Sequence, residues 1–201
     1  MQVPTTPSYK LFSHPGDRSF KLQSTSKDIT LRVPTIIETS ILLDILENKE
    51  NSKFDKSISD ANTQELESIA HRWTTISHPL THLNFLIWNG DTPIGIGGLG
   101  WIGPCDKTQP EGPRAGAAGV VLQPFARGKG FAYEALKMVF EYGLCGLGLA
   151  EVRIGSYSEN IPMRMVMEKK FGLVTETIEG VVDEFGNDLL WVVRMDDLES
   201  F

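Results

Sequence analysis

The sequence predicts a mixed α/β fold in which a mostly antiparallel central sheet carries helices on both faces. Two observations predict it. Apolar residues recur at helical spacing as far as Trp73, and from Leu83 the period drops to two. Later, a short apolar run ending at Leu122 enters a glycine-bearing turn that opens into an amphipathic helix, after which strand and helix alternate again. A length of 201 residues suits a single domain with its own core.

The elements follow in order. Residues 1–27 are rich in Ser, Thr and Pro without a sustained period, which predicts an irregular N-terminal extension before a domain over 28–201. Ile29–Val33 alternates as a strand, and Pro34 stops it. Ile37, Ile41, Leu42, Ile45 and Leu46 fall on one helical face, and Leu66, Ile69, Ala70 and Trp73 on another. The polar stretch Asn48–Thr63 between them reads as a loop. Leu83–Trp88 and Ile94–Ile102 read as strands joined through Asn89-Gly90-Asp91, because Asn and Gly tolerate positive φ. Gly103–Gly116 is a loop, Ala117–Leu122 a strand and Gly130–Leu144 a helix. Glu151–Ser156 is the next strand, and Ile161–Phe171 a helix with Asn160 as N-cap and Gly172 past its end. Leu173–Ile178 and Leu189–Met195 make a closing strand pair.

Composition narrows the function. Nineteen Lys and Arg against 26 Asp and Glu give a net charge of -7, which argues against a general nucleic-acid binder. No run of about 18 apolar residues is present, so no membrane partner is expected. The N-terminus lacks a signal-peptide core, and Cys105 and Cys145 are the only cysteines, so a reduced, cytoplasmic protein is expected. His78 and His82 lack an acidic or Cys partner at metal spacing, so they read as surface histidines and no metal is expected.

The chemistry-bearing stretch is Val120-Val121-Leu122-Gln123-Pro124-Phe125-Ala126-Arg127-Gly128-Lys129-Gly130-Phe131-Ala132. The first amides of a helix have no internal partner and the dipole makes that end positive, so it suits an anion. Gly128 and Gly130 let the backbone approach a phosphate, and Arg127 and Lys129 add charge. Lys129 is followed by Gly130 instead of Ser or Thr, unlike a nucleotide-hydrolysing P-loop, and Tyr133 stands where a dinucleotide fingerprint has its third glycine. From Arg127 to Lys170 seven bases face five acids, a basic segment in an acidic chain.

Arg127-x-x-Gly130-x-Ala132 resembles the Arg/Gln-x-x-Gly-x-Gly/Ala signature of the GNAT superfamily of acetyl-CoA-dependent N-acetyltransferases. Downstream, Ser158-Glu159-Asn160-Ile161-Pro162-Met163-Arg164-Met165-Val166-Met167-Glu168-Lys169-Lys170-Phe171-Gly172-Leu173 resembles the second signature, closest to the RimJ/RimL-like branch. Motifs and element order together cover roughly residues 29–195. The chain departs from the pattern at four places. Met163 stands where the branch has Ser, and Leu173 replaces Phe. Lys170 and Phe171 stand where one residue is allowed. Ala117-Ala118-Gly119 lacks the acidic residue many relatives carry.

The resemblance implies a GNAT-like sheet that splays after Ala117–Leu122 and takes the pantetheine of acetyl-CoA between that strand and Glu151–Ser156. It implies donor contacts from the backbone of Val120, Val121 and Leu122, from the turn Arg127, Gly128, Lys129, Gly130, Phe131 and Ala132, and from Asn160 and Arg164. Tyr157 and Ser158 are the nearest groups able to pass a proton. The implied reaction is direct attack of a primary amine, on a small molecule or a peptide N-terminus, without metal. A degenerate domain that binds acyl-CoA as a sensor or scaffold is the alternative. Asp183, Glu184 and Asp188 read first as a solvated acidic face, with attraction of a cationic amine as the functional alternative, and an uncovered sheet edge or the glycine-rich strand would support a homodimer.

Overall fold

The computed structural model describes residues 6–13, 20–176 and 187–201. Their sheet has eight strands in chain order: β1 Tyr9–Phe12, β2 Lys21–Ser24, β3 Thr30–Arg32, β4 Leu83–Asn89, β5 Thr92–Pro104, β6 Arg114–Leu122, β7 Glu151–Ser156 and β8 Leu189–Val193. Every neighbouring pair is antiparallel except β6 and β7. That parallel pair needs a crossover, which α5, Phe131–Glu141, supplies.

Helices cover both faces. α5 lies on one, over a core that includes Phe85, Leu136, Phe140, Ile154 and Trp191. α1, Thr39–Leu46, and α4, Thr63–Trp73, lie on the other, where Leu42, Ile45, Leu66 and Ala70 meet Leu86 and Ile96. Central strands β4 and β5 are therefore buried on both sides, which explains their near-continuous apolar character.

Several expectations need correction. The N-terminal extension is not irregular throughout: β1 and β2 join the sheet, with Phe20 and Leu22 fully buried. Their strands are too short for a period to emerge from a polar background. The Asn48–Thr63 loop contains two short helices, α2 Lys49–Ser52 and α3 Lys56–Ser59, the first started by an Asn48 cap on the Glu50 N–H. Ile37, assigned to the buried face of α1, is 85% exposed, because a 3-10 turn at Ile36–Glu38 rotates it away. The long helix ends at Glu141 and continues as a π turn, Tyr142–Gly146. Of the strand expected over Leu173–Ile178, the described part Leu173–Glu176 is not a strand, although the Glu176 N–H donates to Leu190 O at 2.7 Å. Its partner strand ends at Val193 and Met195 opens a terminal 3-10 turn.

The extra residue before Gly172 also finds its place. α6 is only Ile161–Arg164, and Met165–Lys170 continues it as a π turn. A π turn takes up one residue more than an α turn. Phe171 thereby returns to the core at 3% exposure, stacked near Tyr133 with ring centroids 4.4 Å apart.

Candidate functional site

β6 and β7 are paired only at Ala115–Ala117 and Glu151–Arg153. Beyond Ala117 and Arg153 the two strands run on without pairing to each other, to Leu122 and Ser156, while each keeps its outer neighbour. The opening is the splay that the resemblance implied. Backbone polar groups along it must find another partner, water or a ligand.

Which groups face the opening follows from strand alternation. A Cβ on Gly95 would strike Val121 O, and one on Gly97 would lie 3.1 Å from Gly119 O, so both carbonyls point toward β5. N–H and C=O of one strand residue point the same way, and the next residue points oppositely. Val120 therefore presents its backbone toward β7, and Val121 does not. Leu122 O accepts from Arg127 Nε at 2.9 Å. Of the three backbone sites expected to meet the donor, Val120 alone turns both its N–H and its C=O to the opening with no bond from Arg127. At Gly119 a Cβ would meet nothing within 4 Å, which leaves open space on the α1/α4 face.

The same strand leads through a 3-10 turn, Pro124–Ala126, to the start of α5. Gly128 and Gly130 have φ of +75° and +78°, a region where a Cβ is strained. Gly130 is the N-cap of α5 and makes no side-chain capping bond, so the first amides, at Phe131 and Ala132, point outward without a protein partner supplied by a cap. Nothing lies within 4 Å of a Cβ position on Gly128. Lys129 is exposed. The turn thus combines two left-handed glycines, an uncapped helix start and an exposed lysine.

Arg127 departs from expectation. Besides Leu122 O, its guanidinium donates to Asn51 Oδ1 at 2.7 Å and Glu50 O at 3.1 Å, with Glu50 Oε2 4.0 Å away. It ties the turn to α2. Asn48 and Asn51 reinforce that junction by donating to Gln123 Oε1 at 3.2 and 3.1 Å. A further positive charge at the start of α5, besides Lys129, is Lys27, which sequence reasoning did not single out. Its Nζ lies 3.3 Å from Lys129 O and 5.9 Å from the Phe131 ring centroid. The pairing of β2 with β3 and the bonds from Ser24 and Ser26 to Glu134 bring it there, so no local signal could have found it.

At the far side of the opening, Asn160 Oδ1 accepts from the Met163 N–H at 3.2 Å as the cap of α6, and its Nδ2 donates to Ser156 Oγ at 3.1 Å. Arg164 pairs with Glu168 at 3.1 Å within one helix turn. Ser158 donates through both its N–H and its hydroxyl to Asp188, each at 2.7 Å, so that hydroxyl braces β7 against the start of β8. The Ser158 hydroxyl is the main influence holding the Asp188 carboxyl below its ordinary pKa, against the opposing effect of burial and with help from the Ser158 N–H and the Arg164 charge. Tyr157 is half-buried just past the open end of β7. Asp183 and Glu184 lie outside the described residues.

His82 is not a surface group. It is 8% exposed, with Nε2 3.2 Å from both Arg72 O and Thr75 O at the end of α4. Among the described residues no group of three His, Cys, Asp or Glu could hold a metal, and no helix is long and apolar enough to cross a membrane.

Comparison with known proteins agrees with this geometry. A family model described as "Acetyltransferase (GNAT) domain" matches residues 28–174. A comparison with curated protein sequences finds no match. Among solved structures, spermidine N-acetyltransferase from Vibrio cholerae in complex with CoA and spermine is 18% identical. It covers 86% of this chain and 98% of its own, with a TM-score of 0.67. RimJ from Mycobacterium smegmatis in complex with CoA-disulfide is 18% identical, covers 92% of each chain and has a TM-score of 0.69. RimL, a ribosomal L7/L12 alpha-N-protein acetyltransferase, is 13% identical over 92% of this chain and 99% of its own, with a TM-score of 0.67. At such identities the likeness establishes the fold.

Proposed function

The chain belongs to the GNAT acetyltransferase family, and from that premise we propose that it moves an acetyl group from acetyl-CoA to a primary amine of a small molecule or a protein N-terminus, in the cytoplasm and without metal. One observation carries the reading: the stretch of β6 that has parted from β7 leads, through one 3-10 turn, to an uncapped helix start. A ligand with an extended amide-bearing arm and a diphosphate at one end would satisfy both features at once.

The donor supplies an activated thioester carbonyl. The chain's own groups bind and orient it. Val120 extends its backbone toward the arm as a neighbouring strand would, and the amides of Phe131 and Ala132 receive the diphosphate. Lys129 adds charge there. Asn160 Nδ2, now on Ser156 Oγ, is within the same strand end and can turn to an arm carbonyl. The open space at Gly119 admits the amine. No carboxylate occupies Ala117–Gly119, so water takes the amine's proton. Tyr157 is our choice for returning a proton to the departing sulfur. Ser158 acts by holding Asp188 and the strand end in place.

The test is thiol release from acetyl-CoA over a panel of amines, from polyamines to peptide N-termini. Amine-dependent release is the expected result. Tyr157→Phe should lower kcat by about 10²-fold while CoA affinity holds. The missing carboxylate favours a second reading, a domain that binds acyl-CoA as a sensor or scaffold. CoA binding without release from any amine would establish that one instead.

A further inference from the structure

The N-terminal extension is fastened to α5 by two buried carboxylates. Glu134 is 4% exposed and accepts from the hydroxyls of Ser24 and Ser26, the latter at 2.6 Å. Glu141 is 6% exposed and accepts from the N–H and hydroxyl of Ser8, each at 2.7 Å. The two acids are seven residues apart, two helix turns, and so share one face. A carboxylate taken out of water needs such donors, and these serines all come from the extension.

Ser24 also accepts from the N–H groups of Ser26 and Lys27, each at 3.0 Å, which closes the turn between β2 and β3. The turn is thus held against the first turn of α5, with Lys27 at its tip. A Cβ on Gly130 would sit 3.6 Å from Lys27 Nζ. The ammonium remains exposed, and its contact with a neutral carbonyl, at 3.3 Å, is longer than a charge-assisted bond. Arg127, the residue a sequence motif would nominate for this place, spends its guanidinium on Leu122, Glu50 and Asn51.

We propose that Lys27 binds the diphosphate of the acetyl donor, so that the N-terminal extension completes the donor site. The inference rests on the function proposed above. A compact ammonium acts on phosphate as a point charge and can swing from Lys129 O to a phosphate oxygen without breaking a strong bond.

Calorimetry at low salt with CoA and with dephospho-CoA tests it. Lys27→Ala should weaken both ligands alike, by about tenfold, and make the remaining affinity less sensitive to salt. Lys27→Arg should recover most of the loss. Thermal unfolding of either variant should match the parent, since the side chain is exposed. Unchanged affinity in Lys27→Ala overturns the inference and leaves the proposed function standing. A loss seen with CoA but not with dephospho-CoA also overturns it, because the contact is then to the 3′-phosphate. A parent protein that binds neither ligand overturns the proposed function, and this inference with it.

Discussion

Helices α4 and α5 have equal length, 11 residues each, and start in opposite ways. α4 begins with a reciprocal cap: Asn62 Oδ1 accepts from the Glu65 N–H at 3.1 Å, and Glu65 Oε2 accepts from the Asn62 N–H at 2.8 Å. α5 begins with Gly130 in the left-handed region and no side-chain cap. A helix that only supports the core gains about 1 kcal/mol by closing its first turn on itself. One that holds an anion must leave those amides free. The contrast within one chain separates a helix start closed on itself from one left open, beside the β6 opening.

The contrast can be broken at its strongest point. Gly130→Asp would place a capping carboxylate among the amides of α5, add negative charge and put a Cβ on a left-handed backbone. CoA affinity should fall by about 10³-fold, about 4 kcal/mol, by calorimetry. Retained affinity would mean that the diphosphate lies elsewhere.

The start of α6 sharpens it. Asn160→Asp keeps the oxygen that caps the Met163 N–H but loses the Nδ2 donor. If the residue also serves the donor arm, CoA affinity should drop by about tenfold with the melting temperature little changed. A purely capping role predicts no change in affinity.

The mirror experiment is Asn62→Ala. Opening the cap of α4 should cost about 1 kcal/mol in denaturant unfolding and leave CoA affinity where it was. Linked losses of stability and affinity would show that the two helix starts are not independent.

The smallest effect is expected at Ser158→Ala, a few tenths of a kcal/mol at neutral pH, since the pair is near the surface. Asp188 is held below its ordinary value in the folded state. Its contribution is therefore complete above the ordinary carboxylate range and disappears as pH falls through the lowered value. The stability difference between variant and parent should vanish in acid, and NMR titration should find Asp188 shifted up in the variant.

Much of this was legible beforehand, for reasons that differ by element. β7 is predicted at its observed bounds because Val152 and Ile154 alternate with polar neighbours against a buried face. The α5 start is visible because its glycines, strand and amphipathic run are consecutive in the chain. Hidden features depend on partners distant in sequence. β1 and β2 have four residues each and become strands through pairing with one another and β3. Arg127 carries the family's motif, yet its direction is set by Asn51 and Glu50, some 76 residues away. Lys27 reaches the start of α5 across 102 positions.

The sequence alone determined the order of the strands from β3 to β7 and of the long helices among them, the glycine-bearing start of α5 and, through two spaced motifs, the family. These are consequences of side chains within a few turns of each other, where periodicity, caps and glycine conformations act locally. Tertiary structure decided where β6 and β7 part, which backbone groups face the gap and which positive charges stand at the helix start. Those outcomes depend on how sheet register and buried carboxylates bring remote segments together, and hydrogen bonds between remote partners leave no mark on the local pattern of either.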